Sequence, residues 1–143
     1  MIKYKFALNP KIRGYVEWQI EHYHEDKKQL EEYRASLIPS ATPSYSPIGG
    51  IQSGGVSNPT EQAGIKLATS PYILATEQTI RAVSAALEKC DDTDKKLIDL
   101  IYWRRAYTIE GAGMRIGLSR RAAYYRVNNI ICIVALEMGL INP

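Results

Sequence analysis

Two cysteines in 143 residues leave little for sulfur chemistry to do. Cys90 and Cys132 stand far apart without CxxC spacing, so neither a disulfide framework nor a cysteine-bound zinc is expected, and free thiols in a reducing compartment are. No apolar run approaches the length that crosses a bilayer, and the opening "MIKYKFALNP" carries no signal-peptide core; the expectation is a soluble intracellular protein without a membrane partner. Strand-like alternation of apolar and polar residues is missing throughout. "IGGIQSGG" lacks the Lys-Ser/Thr ending of a phosphate loop and does not join a strand to a helix. His22 and His24 are too close along a helix to share a face, which makes them a poor metal pair, and no nucleophile has a base at motif spacing. No catalytic residue, metal or cofactor is therefore assigned, and the chain reads as a non-enzyme.

What is present is modest in bulk and uneven in distribution. The chain has 45% apolar residues and a formal charge of +3, and its 143 residues fit one compact domain, or a small domain with an extra oligomerising element, but not most two-domain enzymes. From Lys95 onward the cations are Lys95, Lys96, Arg104, Arg105, Arg115, Arg120, Arg121 and Arg126, against Asp99, Glu110 and Glu137. The acids gather early instead, at Glu17, Glu21, Glu25, Asp26, Glu31 and Glu32. This asymmetry points to a nucleic-acid contact made by the C-terminal part.

Three Asn/Ser-Pro pairs, at Asn9-Pro10, Asn58-Pro59 and Ser70-Pro71, announce helices beginning near residues 10, 59 and 71. The second has Glu61 at capping-box spacing. The first helix, about 10–36, has a narrow apolar stripe including Val16, Tyr23 and Leu30, which predicts a partner and assigns residues 1–37 to an oligomerising arm. "IPSATPSYSPIGGIQSGGVSNP" is too rich in Pro, Ser and Gly for helix or strand and makes 38–57 a linker. Residues 58–143 form the body: a helix over about 71–89 with Ile73, Ile80, Val83 and Leu87 inward, then a break and new cap in "CDDTDKK". The fold class is all-α, a helical bundle with an N-terminal helical arm.

Arg115–Arg126, "RIGLSRRAAYYR", carries the most chemistry. Thr108 can cap a short helix "IEGAGMRI", Gly117 permits a left-handed turn, Leu118 is an apolar plug and Ser119 caps the next helix. Gly111 and Gly113 weaken the short helix, which suggests that they serve close packing. Two helices on such a turn make a helix-turn-helix, over about 94–140. At 100° per residue the second helix turns Ala123, Val127, Ile130, Val134 and Met138 inward, and Arg121, Tyr124, Tyr125 and Asn128 outward. Arginine can grip guanine and asparagine adenine in a major groove, while tyrosine offers a hydroxyl and a flat face. Arg104, Arg105, Arg120 and Arg126 flank that face and suit phosphates. The alternative for such an arginine-rich face is an ordinary solvated surface.

"LIYWRRAYTIEGAGMRIGLSRRAAYYRVNNIICIVALEMGL", preceded by "IGG", "NPTEQAGIKL" and "TIRAVSAALEKC", resembles the RinA/ArpU-type transcriptional regulators of bacteriophages infecting Gram-positive bacteria. The likeness covers about residues 15–140 and is closest over 97–140, where it is also sigma region-4-like, similar to the promoter-reading end of a sigma factor. It implies a helix-turn-helix that binds double-stranded phage DNA in the host cytoplasm, as a homo-oligomer working with host RNA polymerase, and activates late genes for packaging, morphogenesis and lysis. It places Ser119, Arg120, Arg121, Tyr124 and Tyr125 at the start of the recognition helix. Ala112, Gly113 and Ala123 are smaller than that pattern leads one to expect, so the two helices should approach more closely. A small terminase subunit, recognising phage DNA for packaging, is the alternative.

Overall fold

The computed structural model describes residues 8–37 and 70–143, with Glu61, Gly64 and Ile65 between them. The Ile38–Ser57 linker and the Asn58-Pro59 helix start lie outside the described residues. Within them all regular structure is helical, with no strand, as the missing alternation implies. The helices are α1 (Pro10–Glu21), α2 (Tyr23–Leu37), α3 (Pro71–Glu88), α4 (Asp92–Ile98), α5 (Ile109–Arg115) and α6 (Arg120–Glu137), and α4 runs on into a π-helical turn, Asp99–Trp103.

Short polar side chains start these helices by satisfying N–H groups that the first turn leaves orphaned. Asn9 Oδ1 accepts from the Lys11 N–H at 2.9 Å, and Asp91 Oδ1 from the Asp94 N–H at 2.8 Å. Thr108 Oγ1 accepts from Gly111 and Ser119 Oγ from Ala122, both at 3.1 Å. Each such cap contributes about 1 kcal/mol. Ser70 also precedes its helix, yet its side chain makes no capping bond; Pro71 alone presets that first turn.

The body is built around α6. Its first turns are buried on one side only, through Ala123 and Val127, whereas Asn129 to Ala135 are buried on every side. Val16 and Ile20 of α1, Val83 and Ala86 of α3, Leu97 and Ile98 of α4 and Ala112 of α5 close around Val127, Ile130, Ile131 and Val134. Burying one such Val or Ile side chain contributes roughly 1.5–3 kcal/mol, so this ring of aliphatics is the main source of stability.

The N-terminal segment differs from the single helix over 10–36 that its periodicity suggests. It breaks at His22, where φ −94° and ψ 4° leave the helical region and His22 Nδ1 donates to the Trp18 carbonyl at 2.8 Å. The break is tied to the body: Trp103 Nε1 donates to the Ile20 carbonyl at 3.1 Å, and Tyr23 Oη and Ser84 Oγ share a 2.6 Å hydrogen bond. His24 meets the Trp103 ring edge-on, centroids 4.4 Å apart. The stripe that argued for an oligomeric partner is covered within the chain, with Val16 0%, Tyr23 7% and Leu30 4% exposed. Self-association is not needed to bury it.

Candidate nucleic-acid interface

The α5–α6 junction follows from three local choices. Gly117 takes φ +82°, a conformation that costs other residues about 1–2 kcal/mol. The chain then closes α5 with paired bonds, Leu118 N–H to the Gly113 carbonyl at 2.7 Å and Gly117 N–H to the Met114 carbonyl at 3.3 Å. Ser119 opens α6 two residues later. Close approach of the helices depends on their small residues: a Cβ built on Gly113 would lie 2.6 Å from Ala123 Cβ. The expected use of Gly113 in packing agrees with this contact. Gly111 is less constrained, its nearest neighbour being Thr108 Oγ1 at 3.2 Å from a built Cβ.

On α6 the inward residues Ala123, Val127, Ile130 and Val134 are all buried, while Met138 is half-buried at the helix end. Arg120, Arg121, Tyr124, Tyr125 and Asn128 are exposed. Both tyrosines face solvent, at 39% and 43% exposure. Arg120 lies over the Tyr124 ring, 5.7 Å from its centroid, and 3.7 Å from Glu110. That stacking steadies a long side chain without removing its donors from solvent. Arg121 has no ion pair among the described residues.

Five of the expected contacts are drawn into the chain's own interactions. Arg126 is the firmest case: Nη1 donates to Asp91 at 3.0 and 3.2 Å and to the buried Asp94 at 3.1 Å, pinning the start of α4 to α6. The Asp94 N–H and Arg126 hold the Asp91 carboxyl below the ordinary carboxylate range, whereas burial pushes that of Asp94 up against the opposing pull of Arg126. A guanidinium so engaged serves structure first. Asn128 Oδ1 accepts from Arg13 Nη1 at 2.5 Å, and Arg13 Nε pairs with Glu17 at 2.8 Å, so α1 reaches the edge of the α6 outer face. Arg104 pairs with Asp99 at 3.0 Å but stays largely exposed. Arg105 is exposed with φ +53°, a left-handed conformation unusual outside glycine. Thr108 and Ser119 are occupied as helix caps.

Sequence reasoning missed Arg13, which lies 115 positions from Asn128 and carries no local signal. It also passed over Met114, 72% exposed on α5, an apolar side chain held out in solvent near the turn. The charge asymmetry persists after pairing. Glu110 and Asp99 each engage one arginine and Glu137 engages Lys89, which leaves Lys95, Lys96, Arg105, Arg115 and Arg121 without an ion pair among the described residues.

No protein-family model, curated protein or solved structure matches the chain. Its function therefore rests on the chemistry of these residues. No helix among those described is long and apolar enough to cross a membrane. His22 and His24 are occupied by Trp18 and Trp103, stacked and edge-on respectively.

Proposed function

We propose that this protein is a sequence-specific double-stranded DNA-binding regulator of transcription, of the kind bacteriophages use to activate late genes with host RNA polymerase, and that α5, the Gly117 turn and α6 are its helix-turn-helix. One observation carries the reading. The N-terminal half of α6 offers Arg120, Arg121, Tyr124 and Tyr125 to solvent while its C-terminal half is sunk in the core. A helix mounted in this way can enter a major groove with its first turns and be held rigid by its last ones. Arg121, exposed and without an ion pair among the described residues, suits guanine readout; Arg120 and Arg105 suit phosphates. The resemblance over residues 97–140 supports DNA binding more firmly than it supports activation.

Selection of bound duplexes from a random DNA library tests the reading. A short enriched motif is expected, and Arg121→Ala should relax preference at one base position by roughly ten- to a hundredfold. Inverted half-sites within the motif would report a dimer. Footprints at repeated sites beside packaging genes, rather than at one promoter, would transfer the protein to DNA packaging. A folded Arg120→Ala, Arg121→Ala, Tyr125→Ala triple variant that keeps full affinity would sink the assignment.

A further inference from the structure

We propose that the recess between α4 and α5 is a phosphate seat for the DNA backbone, in which Lys96 and Arg115 grip one phosphodiester and Arg104 closes the rim; this rests on the DNA-binding reading above. The recess has a volume of about 270 Å³ and is lined by Lys96, Asp99, Leu100, Arg104, Arg115 and Ile116. Three cations converge on it against one carboxylate, and that carboxylate, of Asp99, is already 3.0 Å from Arg104 Nε. Lys96 and Arg115 have no ion pair among the described residues. Like charges gathered around one hollow repel each other until an anion sits between them. A phosphate fits that need, because its oxygens accept both the point charge of a lysine and the planar fork of an arginine.

The backbone beside the recess is shaped in an unusual way. The π-helical turn carries Asp99 and Leu100 into the lining, and the chain folds back over that turn through an Ala106 N–H to Leu100 carbonyl bond at 3.2 Å. That reversal runs through Arg105 at φ +53°, strain of a kind that clusters where the chain binds something. Arg115 ends α5 and Ile116 begins the turn into α6, so the recess adjoins the helix-turn-helix on the side of its first helix, the helix that crosses the DNA backbone in such motifs. The seat fixes the position of the protein on DNA and reads no base.

The test uses the full-length protein and a short duplex bearing the enriched motif, with affinity measured over a range of salt. The Lys96→Gln, Arg115→Gln double variant should lose roughly tenfold in affinity near 0.1 M salt, lower the slope of log K against log salt by about 1 and leave the preferred sequence unchanged. Each single variant should show part of the loss, and Lys95→Gln, one residue outside the recess, should show little. A folded double variant with the wild-type slope, or an equal loss in Lys95→Gln, overturns the seat. If Arg121→Ala relaxes specificity while the double variant behaves as wild type, the seat alone falls; if the wild-type protein binds no duplex, the DNA-binding reading falls and the seat with it. Tight binding of inorganic phosphate or a free nucleotide without any effect of the double variant on DNA would assign the recess to a small ligand and also overturn the proposal.

Discussion

Gly113 and Ala123 meet where α5 crosses α6, so closely that a methyl on Gly113 would stand 2.6 Å from the methyl of Ala123. The first partner has given up its side chain and the second has kept only one carbon, and that economy sets the distance between the two helices.

Gly113→Ala should therefore destabilise the protein by about 1–3 kcal/mol through overpacking, although alanine favours helix by nearly 1 kcal/mol in an isolated peptide. Ala123→Gly in the same chain should restore part of the loss, because it vacates the space that the new methyl needs. Urea unfolding of the two single variants and the double variant measures this; additive losses would show that the contact does not set the crossing.

Arg126→Ala should cost about 2–3 kcal/mol, more than Arg121→Ala, since it abandons the buried Asp94 carboxylate next to Asp91. The pH response follows from the two shifts. Asp91, held low, contributes stability that is present above the ordinary carboxylate range and lost as pH falls through its lowered value; Asp94, held high, binds its proton more readily folded than unfolded, so acid favours its folded form. The two partly cancel in the wild type. Without Arg126 the proton on Asp94 becomes the larger effect, and the variant should recover stability relative to wild type as pH falls through the carboxylate range. Chemical denaturation between neutral and mildly acidic pH would reveal it, and a deficit independent of pH would count against the clamp.

How much of this could be read in advance varies from residue to residue. The caps at Asn9, Asp91, Thr108 and Ser119, the left-handed Gly117 and the inner face of α6 were legible, because each depends on neighbours within four positions. The outer face of α6 was equally plain. The break at His22 was not: Val16, Tyr23 and Leu30 keep step along one apparent helix, and the bonds that hold the break open reach Ser84 and Trp103. Arg126 looked like its neighbours until Asp91 and Asp94, more than thirty residues earlier, were brought beside it. The stripe on the N-terminal helices announced that it needed covering, but an apolar pattern does not say whether the cover comes from the same chain or another.

Cys90 should behave as a buried, inert thiol. Its Sγ donates to the Ala86 carbonyl at 3.2 Å, and burial, reinforced by Asp94 and Asp91, pushes its pKa up to about 11. A thiol with a raised folded value contributes stability that is complete below its ordinary titration near 9 and disappears as pH climbs toward about 11. Alkylation by iodoacetamide at mildly alkaline pH should be slow in the native protein and fast after unfolding, and Cys90→Ala should flatten the alkaline loss of stability.

Arg105→Gly should stabilise the fold by about 1 kcal/mol net, because glycine accepts φ +53° without the penalty that arginine bears and gives back only part of the gain in chain entropy. Thermal unfolding reads the gain. An unchanged or lower Tm would mean that the arginine side chain repays its own strain within the folded protein.

Because the same α6 that shows its first turns to solvent is enclosed on all sides from Asn129 to Ala135, its two halves answer to different pressures. The exposed side chains of Arg121, Tyr124 and Tyr125 can be exchanged at small cost to folding, whereas a methylene added or removed deeper along the helix disturbs the core that α6 shares with its neighbours. The outward side chains of the first turns can therefore vary while the scaffold stays fixed, and what can vary and what cannot are interleaved on one continuous helix until Asn129, beyond which every position to Ala135 is held by the core.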